Sequence, residues 1–225
     1  MPQSKPRKKT RGAGTKQPFD APPVVTHHEI ELPESAGAAA RRLRYSASAG
    51  MLPIRNAQGT AEAGIFYMAY TLEGDHDPAE RPLMFSFNGG PGSSSVWLHL
   101  GALGPKRVAM LEDGSLPPPP FRIVPNEHTW LDHTDIVFID PVGTGYSRAR
   151  TPELGKKFWG VKGDIESIAE FIRLYLTRNR RWSSPLFLVG ESYGTTRAAG
   201  LAGHLIDQGI ALNGIVLVSS ILNFQ

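Results

Sequence analysis

Three short apolar runs each stop at a glycine-rich turn: "LMFSF" runs into "NGGPGSSS", "IVFI" into "DPVGTGYS", and "LFLV" into "GESYG". This feature constrains the fold most. Continuous apolar runs such as "IVFI" and "LFLV" leave a strand no polar face, so it must be covered on both sides, as in the middle of a parallel sheet. Helical periodicity follows the later runs. In "GDIESIAEFIRLYLTRNRR", Ile165, Ile168, Ala169, Ile172 and Leu176 share one face, Asp164 is placed to cap the start, and arginines crowd the end. "TTRAAGLAGHLIDQ" reads as a helix and "NGIVLVSS" as the next strand.

Upstream, "RRLRYSASAG" and "AEAGIFYMAYTLEG" predict two strands joined by a turn around Asn56–Gly59. "GDHDPAERP" and the proline-punctuated "EDGSLPPPPFRIVPNEHTW" are expected loops. Antiparallel strands at the start, then strands alternating with helices, predict an α/β fold with a mostly parallel central sheet and helices on both faces. No internal repeat is visible. The 225 residues suit one large domain, expected over 24–225.

The formal net charge of +3 belongs to the leader. Lys5, Arg7, Lys8, Lys9, Arg11 and Lys16 meet no acidic residue before position 17, which leaves 18 basic against 21 acidic residues in the rest. Residues 1–23, basic and proline-rich, therefore read as a disordered, solvated tail, with no nucleic-acid partner expected. The tail has no apolar core, so the expected compartment is the cytoplasm; a start lying elsewhere would allow a secreted or periplasmic protein. No segment has the length and apolarity needed to span a bilayer. The chain lacks cysteine, which excludes disulfides, thiolate metal sites and cysteine nucleophiles. None of its histidines has the helical two-histidine spacing of a zinc site, so neither metal nor cofactor is expected.

Gly190-x-Ser192-x-Gly194 sits between a predicted strand and a predicted helix, the context of a nucleophile elbow. There the turn is too tight for side chains at the flanking positions, and the serine hydroxyl stands over a helix N-terminus that favours developing negative charge. A nucleophilic serine needs backbone N–H groups for an oxyanion. Tyr193 can supply one, and "FNGGPGSSS" is the type of loop that supplies another. As a phosphate cradle that loop lacks the spaced glycines and lysine of a P-loop.

"NGGPGSSS" and "GESYG", supported by "LGPKRV", "NEHTW" and "DPVGTGYS" in the same order, resemble the serine carboxypeptidase family of α/β-hydrolases. The resemblance runs from about residue 41 to the end and covers roughly the first half of a typical member. It implies an α/β-hydrolase fold truncated after the sixth strand. It also implies Ser192 as the acylating nucleophile, Gly90 and Tyr193 as oxyanion donors, and Asn88, the Gly89 backbone and Glu191 as the site for a peptide's free C-terminal carboxylate. Glu191 would have to carry a proton beside that carboxylate, which favours acidic pH. Departures exist: Ser93 and Ala102 stand where the family usually has a cysteine and a second glutamate, and "DPVGTGYS" is one residue tighter than the commoner turn.

The expected partner is thus a peptide with a free C-terminus, while oligomeric state stays open. A triad also needs an acid and a histidine, which follow the serine in this fold. Only His204 follows, twelve positions along the same helix and ~18 Å away, too far to act as base. His27, His28, His76, His99, His128 and His133 precede the serine and are assigned surface or packing roles. The expected acid and base therefore lie beyond Gln225, and the chain alone is expected to be inactive. An esterase or acyltransferase on the same scaffold and a catalytically inactive binding module are the alternatives.

Overall fold

A computed structural model describes residues 19–34, 39–77 and 79–221. Of the expected tail, residues 1–18 lie outside the described residues. Residues 19–23 are held on the body, because Asp20 pairs with Arg55 at 2.6 Å.

Strand β1 (Val24–Leu32) leads into a long ribbon of β2 (Arg41–Arg55) and β3 (Ala61–Leu72), followed by β4 (Leu83–Phe87). Helix α1 (Val96–Leu98) continues as a π-turn over His99–Leu103. The short strands β5 (Lys106–Val108) and β6 (Ile123–Pro125) pair within the proline-rich connection. Next come β7 (Asp135–Ile139), β8 (Arg148–Ala149), α2 (Pro152–Trp159), α3 (Val161–Asn179), β9 (Leu186–Glu191), α4 (Tyr193–Asp207) and β10 (Gly214–Val218). The main sheet runs β1-β2-β3-β7-β4-β9-β10, with β8 paired to β3. Pairing is antiparallel as far as β7 and parallel from β7 to β10.

All six expected strands are present, and every residue of β4 and β7 is buried. Two cores result. Phe85, Phe87, Val137, Ile139 and Leu188 pack under α3 and α4, while Met84, Ile136, Phe138 and Val189 face α1 and the N-terminal ribbon. The sheet has two extra strands, the two-residue β8 and the edge strand β1, which lacks a clear alternating signal because only Ile30 and Leu32 of its nine residues are buried. The short helix α2 is a further addition. Thr151 caps it by accepting from the Leu154 N–H at 3.3 Å, and Pro152 sits at its start, where a missing N–H costs nothing. Asp164 does not cap α3; Gly160 holds the N-cap position, and Asp164 turns inward to pair with Arg197 of α4 at 2.8 Å.

At the N-terminal ends of the parallel strands, Asp135 is 1% exposed and bridges two arginines. Its Oδ1 accepts from Arg81 Nε at 2.8 Å and from the Leu72 N–H at 3.0 Å, and its Oδ2 accepts from Arg181 Nη1 at 2.6 Å. Arg181 also donates to the Arg81 carbonyl at 2.8 Å, which ties the α3–β9 connection to the start of β4. Removing one partner from such a buried set leaves uncompensated charge, so Asp135→Ala should cost ~3–5 kcal/mol. Urea denaturation of the variant measures this, and a loss under ~1 kcal/mol, the range of an exposed pair, would contradict the assigned role.

Candidate active site

Strand β9 ends at Glu191, and the chain reverses at Ser192 with φ 57° and ψ −125° before entering α4. A positive φ is strained for a residue with a side chain and persists only where the surroundings enforce it. Here they do. The Ser192 carbonyl accepts the Thr195 N–H at 2.9 Å and its hydroxyl at 2.7 Å, while the Ser192 N–H donates to the Val218 carbonyl at 3.0 Å. The turn closes so tightly that a methyl group on Gly190 would lie 2.1 Å from the Gly194 oxygen.

The loop after β4 meets this turn backbone to backbone. A methyl group on Gly89 would lie 2.4 Å from the Tyr193 nitrogen and 2.7 Å from the Glu191 oxygen. The contact brings five of the six expected site residues, Asn88, Gly89, Glu191, Ser192 and Tyr193, into one neighbourhood, with Gly90 next in the chain. Asn88 is buried, its Nδ2 donates to Glu191 Oε2 at 3.0 Å, and its Oδ1 accepts from the Leu98 N–H at 3.0 Å. Asn88, Gly90, Ser93, Trp97, Leu98, Glu191 and Ser192 line an open cavity of about 490 Å³.

Two other sequence segments serve as braces. Asp140, at the end of β7, accepts from the Ser95 N–H at 2.9 Å through Oδ1 and from the Tyr146 N–H at 3.3 Å through Oδ2. It thus joins the "GTGYS" turn to the glycine loop, and burial pushes its carboxyl up from the ordinary aspartate range. Asn126 of "NEHTW" donates to the carbonyls of Ala102 at 2.7 Å and Gly104 at 2.8 Å, which fixes the "LGP" turn.

Among the described residues, no histidine lines the cavity at Ser192. His204 bonds to Gln208 at 2.9 Å near the far end of α4. His99 is a packing residue: it lies 2.6 Å from the Tyr70 hydroxyl and stacks on Phe138, and burial lowers its pKa to about 4. Also among the described residues, no group of three or more histidine, aspartate or glutamate side chains could hold a metal ion.

A mixed sheet with a strained serine elbow and a glycine loop at the C-terminal ends of β9 and β4 defines an α/β-hydrolase fold. The chain belongs to the serine carboxypeptidase family, whose model matches residues 39–223. Serine carboxypeptidase-like 7 of Arabidopsis thaliana is 33% identical over 167 residues, 73% of this chain and 35% of that protein. Serine carboxypeptidase-like 5 of the same plant is 33% identical over 135 residues, 59% of this chain and 29% of that protein. A prohormone-processing carboxypeptidase from Saccharomyces cerevisiae superposes with a TM-score of 0.61 at 25% identity, covering 76% of this chain and 38% of that one. The chain spans about a third of the length of these relatives.

The backbone contact at Gly89 yields a direct test. Gly89→Ala must push the two turns apart and should destabilise by ~1–3 kcal/mol or more. Gly101, with nothing within 4 Å of an added methyl group, is the control. Thermal unfolding of both variants should show a loss only for Gly89→Ala; equal midpoints would contradict the interlock.

Proposed function

We propose that Ser192 is the nucleophile of a serine-type carboxypeptidase that removes residues from the free C-terminus of a peptide. The hydroxyl attacks the scissile carbonyl carbon, and the N–H groups of Gly90 and Tyr193 receive the developing oxyanion. The base takes the hydroxyl proton and returns it to the leaving amine as the scissile C–N bond breaks, and water then hydrolyses the resulting acyl-enzyme. The N-terminus of α4 adds positive potential beneath the serine. In this reading the base and the acid are supplied by the part of the family's length that this chain does not span.

The observation that carries the proposal is the Asn88–Glu191 hydrogen bond of 3.0 Å, on the wall of the cavity that also holds Ser192. A protonated Glu191, the Asn88 amide and the Gly89 N–H form a set of donors suited to a terminal carboxylate. An ionised Glu191 would repel that carboxylate, so productive binding requires the protonated form. An esterase or acyltransferase working on a substrate without a carboxylate would make no use of this set.

Kinetics on the full-length protein separate the two readings. Each charge-assisted hydrogen bond to the carboxylate is worth about 1.5–3 kcal/mol, so amidating the C-terminus of a blocked dipeptide should lower kcat/KM by ~10-fold or more. Ser192→Ala should abolish turnover of the free acid. Equal kcat/KM for acid and amide would overturn the carboxypeptidase assignment in favour of the esterase.

A further inference from the structure

Arg197 is 2% exposed, on the second turn of α4, behind the serine elbow. Its Nε donates to Asp164 Oδ2 at 2.8 Å, and its Nη1 donates to the backbone carbonyl of Asn88 at 2.8 Å. The guanidinium carbon lies 5.2 Å from the ring centroids of both Phe87 and Tyr193. The Tyr193 hydroxyl lies close enough to the Asp164 carboxylate for the two to interact electrostatically. Burial pushes the Asp164 carboxyl up, and the charge of Arg197 opposes that shift.

Stability alone is a poor reason for this arrangement, because well-packed apolar residues often replace a buried ion pair without loss. What the pair touches is more informative. The Asn88 carbonyl stands immediately before Gly89 and Gly90, so holding it sets the plane of the peptide that leads into the glycine loop. The Asp164 carboxylate and the face of the guanidinium hold the Tyr193 side chain, and hence the first residue of α4. We propose that Arg197 and Asp164 are positioning residues for the oxyanion hole, fixing the Gly90 side through the Asn88 carbonyl and the Tyr193 side through its ring and hydroxyl. The proposal rests on the function proposed above. The peptide that Arg197 holds also carries the Gly89 N–H of the carboxylate-binding set, so KM rises as well, and acylation by a fluorophosphonate, which has no terminal carboxylate, reads the oxyanion hole alone.

The test combines steady-state kinetics on a blocked dipeptide with the rate of Ser192 acylation by a fluorophosphonate, both on the full-length protein. Failure of the wild-type protein to acylate at Ser192 overturns the underlying reading, and the proposal with it. The variant Arg197→Met/Asp164→Leu removes both charges and leaves none buried alone, and thermal unfolding checks that it folds. Loss of an oxyanion donor costs ~10²–10³ in kcat, so kcat and the rate of Ser192 acylation should each fall ~10²-fold. A folded double variant with wild-type kcat, or with its loss confined to KM, overturns the proposal. Arg197→Lys decides the matter if the double variant does not fold. Lysine keeps a charge opposite Asp164 but lacks the planar fork that reaches two acceptors, so kcat and the acylation rate should fall ~10-fold. Wild-type kcat in that variant likewise overturns the proposal.

Discussion

The turn after β4 and the turn after β9 share a boundary with no room for a side chain. Gly89 lies against the Glu191 oxygen and the Tyr193 nitrogen, and the next contact along, from Gly194 to the Phe87 oxygen, would be 2.9 Å from an added methyl group. This close approach depends on β4 and β9 being parallel neighbours in register, with Phe87 opposite Gly190. Burying these strands on both faces in turn depends on their largely apolar sequences. Once the two turns touch, Asn88 reaches Glu191, and the open cavity beside Ser192 takes its shape. The local chemistry thus follows from a packing constraint between two backbones.

Buried charges reinforce the two ends of the sheet differently. At the N-terminal ends, Asp135 between Arg81 and Arg181 ties chain segments far from the serine and contributes to the integrity of the fold. At the C-terminal ends, Arg197 and Asp164 join α4 to α3 and touch the backbone that leads into the glycine loop. Asp140 adds a third brace, from the end of β7 to the same loop. Three loops after three adjacent strands are therefore linked by carboxylates and an arginine rather than by loose contact. Such support is what holds a reacting group to the sub-ångström tolerance that catalysis needs.

Much of this was legible in the sequence, for identifiable reasons. The strands β4, β7 and β9 announce themselves as apolar runs stopped by glycine, and the elbow follows from the spacing of Gly190, Ser192 and Gly194. The edge strand β1 was hidden because "VVTHHEIEL" buries only two side chains and carries little hydrophobic signal. Helix α2 was hidden by its length of eight residues, although Thr151 and Pro152 mark its start. Asp164 was misread as a helix cap because its position near the start of α3 fits one. Its true partner, Arg197, is 33 residues away, and their meeting depends on how α3 packs on α4. Pairings between distant polar residues leave no periodic trace, so the braces of the site were invisible while its glycines were plain.

A crystal structure of the full-length protein with a phosphonate bonded to a serine tests the central claim most directly. The account predicts that the adduct sits on Ser192. Its phosphoryl oxygen should lie at ~2.7–3.1 Å from the backbone nitrogens of both Gly90 and Tyr193. An adduct on another serine, or an oxygen turned away from both nitrogens, would contradict it.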